Sequence, residues 1–233
     1  MMSVHDREQT YLRLLSEREY TVTELAERLF VSEPTVRRDM LVLEKKELLT
    51  CRRGVVKLKS RYADQRVPLF IRTELNNKEK QEIALLAVRH VKAGDVIMMD
   101  ASTTAYHLLP HLVQFKNILL ITNGAKTALE ASSIGIRTLC TGGEMTLESF
   151  SYVGSDAEAM LRNYNADVAF FSCLGINDEG VASDSSLLEN AMRRIMIRHS
   201  KRQFLLCDRS KFGKTYLNTL CMTSDVSGVI TNY

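Results

Sequence analysis

The sequence has no run of about 18 consecutive apolar residues, the length that a membrane-spanning helix requires. Its first seven residues also have no apolar core of the kind found in a secretory signal peptide. We therefore expect a cytoplasmic protein that makes no contact with a membrane. No internal repeat or low-complexity tract is present, and 45% of the 233 residues are hydrophobic. Such a chain can form one or two globular domains with substantial cores.

Paired cysteines are also missing. The five cysteines are scattered, with no Cys-x-x-Cys pair: Cys51, Cys140, Cys173, Cys207 and Cys221. This pattern predicts free thiols that fill apolar space in a reducing compartment. His107 and His111 stand four residues apart, but Pro110 lies between them and no third ligand is evident. We therefore expect neither a metal ion nor a cofactor.

Charge is distributed unevenly, although the net charge is only +3. Residues 1–36 contain four arginines against seven acidic residues, whereas residues 37–61 contain nine Lys or Arg against three Asp or Glu. A local basic segment beside a neutral body is typical of a surface that binds a polyanion. For charge alone a solvated face is the better interpretation, so the choice depends on the pattern of helices around this segment.

Three helices are predicted around the start of the basic segment. The first covers residues 4–16, where apolar side chains recur at helical spacing. Thr21 and Glu24 form a capping-box pattern that begins the second helix, and Ser32 can cap the third. The third helix buries the face that carries Val36, Met40 and Leu43. Its arginines therefore lie on another side.

Two short helices joined by a tight turn are typical of the helix-turn-helix, whose second helix enters the DNA major groove. Residues 48–58, with Gly54 between two strand-forming runs, predict a basic hairpin or wing after it. Arginine can bind guanine with two hydrogen bonds, and other basic groups contact phosphates. The predicted contacts to double-stranded operator DNA are the polar residues of this helix and wing: Ser32, Glu33, Thr35, Arg37, Arg38, Arg52 and Arg53. We accordingly assign residues 1–58 to a DNA-binding domain.

Residues 59–75 are interpreted as a linker, and residues 76–233 as a second domain. A helix is predicted over Asn77–Val91, and buried strands then alternate with helices. The predicted strands cover residues 96–100, 118–122, 137–141, 168–172 and 204–208. This alternation predicts an α/β fold with a parallel sheet covered on both faces by helices.

Ligands of such sheets bind at the carboxyl ends of the strands. Small, hydroxyl-bearing or glycine residues recur at those ends: Ser102, Thr103, Thr104, Thr122, Gly142 and Gly143. Hydroxyl groups and free backbone N–H groups can bind a phosphate, and Lys211 adds a positive charge. Asp100 and Asn123 can hydrogen-bond sugar hydroxyls. Each loop alone fits ordinary turn chemistry, but four loops at one sheet edge favour a binding site.

The stretch from Ser32 to Met40 resembles the winged helix of the DeoR family of bacterial transcription regulators, although the wing tip Arg53-Gly54-Val55-Val56 replaces the usual His-Gly-Gly-Ala type. The effector domain of that family is similar to the ribose phosphate isomerase fold. Its motifs match residues 100–104, 122–123, 142–143 and 208–213 of this chain. Ser102 stands where the family usually has glycine. The resemblance also places Glu189 on a helix that faces the ligand pocket, which makes it a weaker ligand candidate. Glu189 and Arg193 are four residues apart, so a simple salt bridge along the helix is the alternative.

The resemblance implies a repressor of a carbohydrate-utilisation operon that is released by a phosphorylated sugar or related metabolite. We expect a homo-oligomer, because two half-sites multiply the affinity for DNA. The alternative is a sugar phosphate isomerase-like enzyme that carries a DNA-binding module, with Asp100, Glu144 or Glu189 as candidate bases. A structural DNA binder that ignores metabolites is a third possibility, against which the four loops argue.

Overall fold

A computed structural model describes residues 4–45, 48–58 and 69–232. The chain divides into two units, residues 1–76 and residues 77–233. The predicted fold class is confirmed, with a winged helix-turn-helix in the first unit and an α/β parallel sheet in the second. Among the described residues, no helix combines the length and the apolar character needed to cross a membrane.

The first unit combines helices with a small antiparallel sheet. Its helices are α1 (Val4–Glu17), α2 (Val22–Leu29), α3 (Glu33–Lys45) and α4 (Leu69–Glu74). Its strands are β1 (Tyr20–Thr21), β2 (Leu49–Arg52) and β3 (Val55–Leu58), in the order β1-β3-β2. The three predicted helices and the predicted hairpin are confirmed. The pairing of β1 with β3 was not predicted, because a two-residue strand leaves no periodic signal.

The predicted capping box begins α2. Thr21 Oγ1 accepts a hydrogen bond from the Glu24 N–H at 3.1 Å, and the Glu24 carboxylate accepts one from the Thr21 N–H at 2.7 Å. The backbone hydrogen bond from Thr21, together with hydrogen bonds from Arg18 and the Thr21 hydroxyl, lowers the pKa of Glu24 to about 2. The first turn of α2 is therefore fixed by its own end residues.

The wing turns through two residues in the left-handed region. Arg53 has φ 52° and Gly54 has φ 78°, and Arg52 pairs directly with Val55. Two positive φ angles are what a tight hairpin of this type needs, and glycine adopts one of them without steric cost. The Val22 N–H donates to the Gly54 carbonyl at 2.9 Å, which connects the wing tip to the start of α2.

The predicted linker needs a correction at its C-terminal end. Residues 59–68 lie outside the described residues. Residues Leu69–Glu74 form the helix α4 rather than an extended connection, and Leu69 and Thr73 are buried. The Thr73 hydroxyl donates to the Leu69 carbonyl at 2.9 Å. Leu69 and Thr73 are four residues apart and share the buried face of this helix. The helix was not predicted, because Pro68 precedes it and the segment has a mixed polar composition.

A six-stranded parallel sheet forms the centre of the second unit. Its strands are β4 (Val96–Met99), β5 (Leu119–Thr122), β6 (Arg137–Cys140), β9 (Ala166–Phe171), β12 (Ser200–Leu206) and β14 (Gly228–Ile230), in the order β14-β12-β9-β4-β5-β6. The helices of this unit are α5 (Asn77–Ala87), α6 (Thr103–Tyr106), α7 (Leu109–Leu112), α8 (Ala125–Ser133), α9 (Ser155–Arg162) and α10 (Leu187–Arg198). Buried side chains on both faces of the sheet confirm the predicted layers.

Short antiparallel strands complete the second unit. They are β7 (Glu144–Met145), β8 (Tyr152–Val153), β10 (Gly175–Ile176), β11 (Val181–Asp184) and β13 (Asn218–Met222). Strands β7 and β8 pair with each other, and the other three form a separate sheet in the order β10-β11-β13. These strands and β14 were not predicted.

Candidate DNA-binding surface and ligand site

Helix α3 presents one polar face to solvent. Val36, Met40 and Leu43 are buried, as predicted. Asp39 faces α1, where its carboxylate accepts hydrogen bonds from Arg7 Nε at 2.9 Å and from the Tyr11 hydroxyl at 3.1 Å. Burial and the charge of Asp39 raise the pKa of Tyr11, so its hydroxyl remains a donor. These contacts fix the rotation of α3 about its axis.

The two arginines of α3 have different partners. Arg37 Nη2 donates to Glu33 Oε2 at 3.1 Å, and Glu33 Oε1 accepts from the Thr23 hydroxyl at 2.6 Å. The hydrogen bonds from Thr23 and Arg37 lower the pKa of Glu33. Arg38 is exposed and has no hydrogen bond or ion pair with any described residue. The guanidinium of Arg38 therefore has all its donors free of partners among the described residues, whereas that of Arg37 is engaged by Glu33.

The remaining predicted DNA contacts lie at the start of α3 and on the wing. The Ser32 and Thr35 hydroxyls contact each other at 2.9 Å just before and within the first turn of α3. Arg52 and Arg53 are exposed at the turn of the hairpin. Glu44, near the end of α3, accepts a hydrogen bond from the Cys51 N–H of the wing at 2.7 Å. Helix and wing are thus joined by a direct contact within the first unit.

A buried arginine lies among three carboxylates in the second unit. Arg193 Nε donates to Asp100 Oδ2 at 2.9 Å, Nη1 to Asp184 Oδ2 at 2.8 Å, and Nη2 to Glu189 Oε2 at 3.2 Å. Burial by itself lowers the pKa of Arg193, but the three carboxylates raise it above its usual value. We name Asp100, Asp184, Glu189 and Arg193 the carboxylate cluster. It connects the end of β4, the end of β11 and α10.

Every carboxylate oxygen of this cluster already has a donor. Asp100 Oδ1 accepts from the Ser102 N–H, and Oδ2 also accepts from the Ser172 N–H. Asp184 Oδ1 accepts from the N–H groups of the next two residues. Glu189 Oε1 accepts from the hydroxyls of Ser149 and Ser151, which both precede β8. The predicted ligands Asp100 and Glu189 thus serve the internal structure of the site.

Lys211 lies at the same edge of the sheet. Its Nζ donates to the Ser172 hydroxyl at 2.6 Å, and Ser172 donates to the Leu206 carbonyl at 2.6 Å. Burial lowers the pKa of Lys211, but nearby Cys207, Asp208, Cys173 and Asp184 raise it above its usual value. The ammonium is therefore charged at neutral pH, and one hydrogen bond to Ser172 does not exhaust its three donors.

Several predicted ligand residues stabilise their own loops. Ser102 Oγ accepts from the Ala105 N–H and caps α6, so the side chain that replaces glycine has a local function. Thr122 Oγ1 accepts from the Gly124 N–H at 3.1 Å. Gly142 and Gly143 have φ angles of 65° and 101°. A Cβ on Gly143 would lie 2.8 Å from the Val153 carbonyl oxygen, so a close approach of two segments requires this glycine.

Three other predicted residues keep unused polar capacity. The hydroxyls of Thr103 and Thr104 form no hydrogen bond with any described residue. Asn123 is buried, and its Oδ1 has no hydrogen-bond partner in the described part of the chain. The loops of these residues adjoin, because a Cβ on Gly124 would stand 3.0 Å from Ala101 Cα. These residues and Lys211 follow the carboxyl ends of strands of the same parallel sheet, and we name the four of them the open polar set.

Sequence reasoning missed several members of the site. Asp184 ends the unpredicted strand β11, and Ser149, Ser151 and Ser172 stand in no recognised motif. Burial raises the pKa of Asp208, but Lys211 and the hydrogen bonds from Ser210 lower it below its usual value, and the buried Lys80 of α5 adds to that lowering. The sequence could have indicated this residue, because Lys80 lies on the face of the predicted helix that carries Ile83 and Ala87, and a buried lysine needs a negatively charged partner. No group of three or more potential metal ligands occurs among residues 4–45, 48–58 and 69–232.

Both halves of the chain match family models. The DeoR-like helix-turn-helix domain matches residues 7–61, and the DeoR C terminal sensor domain matches residues 75–233. The uncharacterized HTH-type transcriptional regulator YulB of Bacillus subtilis is 33% identical, over 99% of this chain and 90% of that protein. The lactose phosphotransferase system repressor of Staphylococcus aureus is 29% identical, over 100% of this chain and 93% of that protein.

Solved structures with a similar chain path include a D-ribose-5-phosphate isomerase in complex with phospho-erythronic acid. Its TM-score is 0.45 at 14% identity, over 58% of this chain and 54% of that chain.

Proposed function

The chain belongs to the DeoR family of helix-turn-helix transcription regulators, and from this premise we propose that it represses a carbohydrate-utilisation operon in the cytoplasm. A phosphorylated sugar or related metabolite binds the open polar set and releases the protein from operator DNA. The protein acts as a homo-oligomer, because two linked DNA-binding units multiply the affinity for a two-part operator. The effector shifts the population between the two states by binding one of them better.

The exposed polar side chains of α3 and the wing support the DNA-binding part of the proposal. Arg38 is exposed and unpaired among the described residues, Arg52 directly precedes the wing turn, and Arg53 is its first residue. An unpaired guanidinium can bind guanine O6 and N7 without first losing an internal partner. Arg38 therefore reads a base, and the wing arginines contact phosphates.

The observation that carries the sensor part is the unused polar capacity at one edge of a parallel sheet. Lys211 supplies a positive charge, Thr103 and Thr104 supply hydroxyls, and Asn123 Oδ1 is an unsatisfied buried acceptor. A phosphate accepts hydrogen bonds from the lysine and the hydroxyls. A sugar hydroxyl donates to Asn123, whose amide oxygen is costly to leave unpaired. A phosphorylated sugar meets both requirements.

The carboxylate cluster favours a sensor over an enzyme. A general base must reach the substrate proton with a free oxygen. All six carboxylate oxygens of Asp100, Asp184 and Glu189 are engaged by donors of the chain itself. These contacts hold the strand ends in place, and this structural use of the carboxylates favours a scaffold over a general base.

Replacement of Lys211 by Ala tests this assignment. A charge-assisted hydrogen bond contributes about 1.5–3 kcal/mol, so the variant should need roughly ten- to hundredfold more effector to release operator DNA. Operator affinity without effector should not change, because Lys211 lies in the sensor unit. The measurement is operator release against a panel of pentose and hexose monophosphates. Lys214→Ala changes an exposed lysine three residues away and serves as the matched control.

Release of DNA by the Lys211→Ala protein at the wild-type effector concentration would exclude Lys211 from the site. Loss of operator binding in that variant would make Lys211 a structural residue. Thr104→Val then tests the same site without removal of a charge, since it replaces the hydroxyl by a methyl group. Steady interconversion of aldose and ketose phosphates by the wild-type protein, abolished by Glu189→Gln, would establish the enzyme instead.

A further inference from the structure

Two buried thiols lie side by side below the open polar set. Cys173 Sγ and Cys207 Sγ are 3.5 Å apart, and both cysteines are free. Cys173 follows β9 and Cys207 follows β12, and these neighbouring parallel strands are in register at Phe171 and Leu205. Adjacent strands lie about 4.7–4.9 Å apart, which falls within the Cα separation of about 4.4–6.8 Å that a disulfide spans. A pair of cysteines that continues this register is therefore suited to a disulfide.

The two thiols differ in their readiness to react. The hydrogen bond from Cys207, together with the positive charges of Lys211 and Arg193, lowers the pKa of Cys173 although the residue is buried. Burial raises the pKa of Cys207. In a redox pair of cysteines, the thiol that ionises readily attacks the oxidant and becomes a sulfenic acid, and the neighbouring protonated thiol then converts the sulfenic acid to a disulfide. The difference between Cys173 and Cys207 fits these two roles.

We propose that Cys173 and Cys207 are a redox modification site, at which a peroxide forms an intramolecular disulfide in the folded protein and thereby shifts the contact between Ser172 and Lys211. The Cys173 thiolate attacks one peroxide oxygen, the O–O bond breaks, and the hydroxide that leaves takes up a proton as water. The sulfur of Cys207 then attacks the Cys173 sulfenic acid, and its proton leaves with the hydroxyl as a second water. The two sulfurs lose two electrons, and the peroxide gains them.

The position of the pair connects it to the sensor site. Closing the gap from 3.5 Å to a disulfide bond of about 2.05 Å moves the two sulfurs together by about 1.5 Å. Ser172 and Leu206, the residues directly before the two cysteines, are joined by a hydrogen bond of 2.6 Å, and Lys211 binds the same serine hydroxyl at 2.6 Å. Because these contacts span the same two strands, the disulfide changes the surroundings of Lys211. A cytoplasmic dithiol reductant restores the thiols by exchange.

Peptide mapping of the full-length protein tests the bridge. The reduced protein is treated with hydrogen peroxide, the remaining thiols are blocked with a maleimide, and a non-reducing digest is examined by mass spectrometry. We expect a peptide pair that joins Cys173 to Cys207, has lost two hydrogen atoms and separates on reduction. Cys140→Ser, which removes an exposed thiol, should keep the pair, and Cys207→Ser should abolish it. A reduced Cys173–Cys207 pair in protein whose Cys140 is fully oxidised, or a bridge from Cys173 to Cys221, would overturn the proposal.

A second measurement tests the coupling and does not depend on the identity of the effector. The rate of Lys211 acylation by an amine-reactive ester is compared with that of the exposed Lys214 before and after oxidation. The ratio should change severalfold in the wild-type protein and stay constant in Cys207→Ser. A constant ratio in wild-type protein that contains the mapped disulfide would show that the bridge does not act on Lys211. That result would leave the proposed sugar phosphate site untouched.

Discussion

The two units each contain a Glu-x-x-x-Arg pair on a helix, with similar geometry and opposite surroundings. Arg37 Nη2 lies 3.1 Å from Glu33 on α3, and the side chains are 58% and 38% exposed. Arg193 Nη2 lies 3.2 Å from Glu189 on α10, and the side chains are 7% and 11% exposed. The exposed ion pair can break and bind water or DNA instead at little cost in free energy. The buried pair has no water in reach to replace its partners, so breaking it is costly.

This difference separates a binding surface from a scaffold. Arg193 has two further carboxylate partners, Asp100 and Asp184, so its removal would leave three buried negative charges together. Arg37 has one exposed partner, and Arg38 beside it has none among the described residues. The same residue type at the same helical spacing thus stabilises the sensor unit in one case and remains available for DNA in the other.

Arg193→Met should have the largest effect on stability. Removing one partner of a buried ion pair typically costs about 3–5 kcal/mol, because the remaining charges stay buried without compensation. Chemical denaturation of the variant should show this loss in the free energy of unfolding. Arg198→Met on the same helix changes an exposed arginine and should cost little. A loss as small as that of the control would show that the cluster relaxes or takes up protons freely.

Arg38→Ala should lower operator affinity by about 1–3 kcal/mol if the side chain reads a base. Arg37→Ala should have a smaller effect on affinity, because its guanidinium has to leave Glu33 before it reaches DNA. Titrations at one fixed salt concentration compare the two variants, and Arg162→Ala in the sensor unit serves as the control. Equal losses for Arg37 and Arg38 would show that the pairing with Glu33 has no influence on recognition.

Phe30→Gly should stabilise the first unit by about 1 kcal/mol. Phe30 ends α2 with φ 54° and is 95% exposed, so it has the left-handed conformation without the burial that would compensate. That conformation costs an L-residue roughly 1–2 kcal/mol, which glycine avoids at some entropic cost. Thermal unfolding measures the change. Phe30→Ala keeps a Cβ and should not reproduce the gain, and an equal gain in both variants would point to the exposed ring rather than the backbone.

The smallest expected effect concerns acid stability. The pKa of Glu24 is about 2 in the folded protein, below the value of about 4.3 in an unfolded chain. A lowered folded pKa contributes stability that is present above the unfolded value and is lost as the pH falls through the folded value. Unfolding midpoints of Glu24→Gln should therefore depend less on pH than the wild type between pH values of about 5 and 2. Parallel curves for the two proteins would contradict the capping role.

Long periodic elements were predictable from the sequence, and the partners of single side chains were not. The buried face of α3 and the positions of β4 and β5 along the chain follow from apolar spacing alone. Asp100 and Lys211 were placed at the correct sheet edge, because both follow buried parallel strands. Nothing in the spacing shows that Asp100 binds Arg193, since those residues are 93 positions apart and meet only in the folded chain.

Three hydroxyl groups link the β7–β8 hairpin to Glu189. They have fewer hydroxyl protons than the number of hydrogen-bonding contacts that they make. Thr146, Ser149 and Ser151 approach one another at 2.6, 2.9 and 2.9 Å, and both serines also approach Glu189 Oε1. Three hydroxyl protons cannot fill five such contacts. If both serines donate to the carboxylate, the single hydroxyl proton of Thr146 can go to either of two acceptors, the Ser149 oxygen or the Ser151 oxygen. The three hydroxyls can therefore adopt more than one arrangement of their protons. Deletion of one hydroxyl removes a hydrogen-bond donor and also an acceptor that competes for the remaining protons.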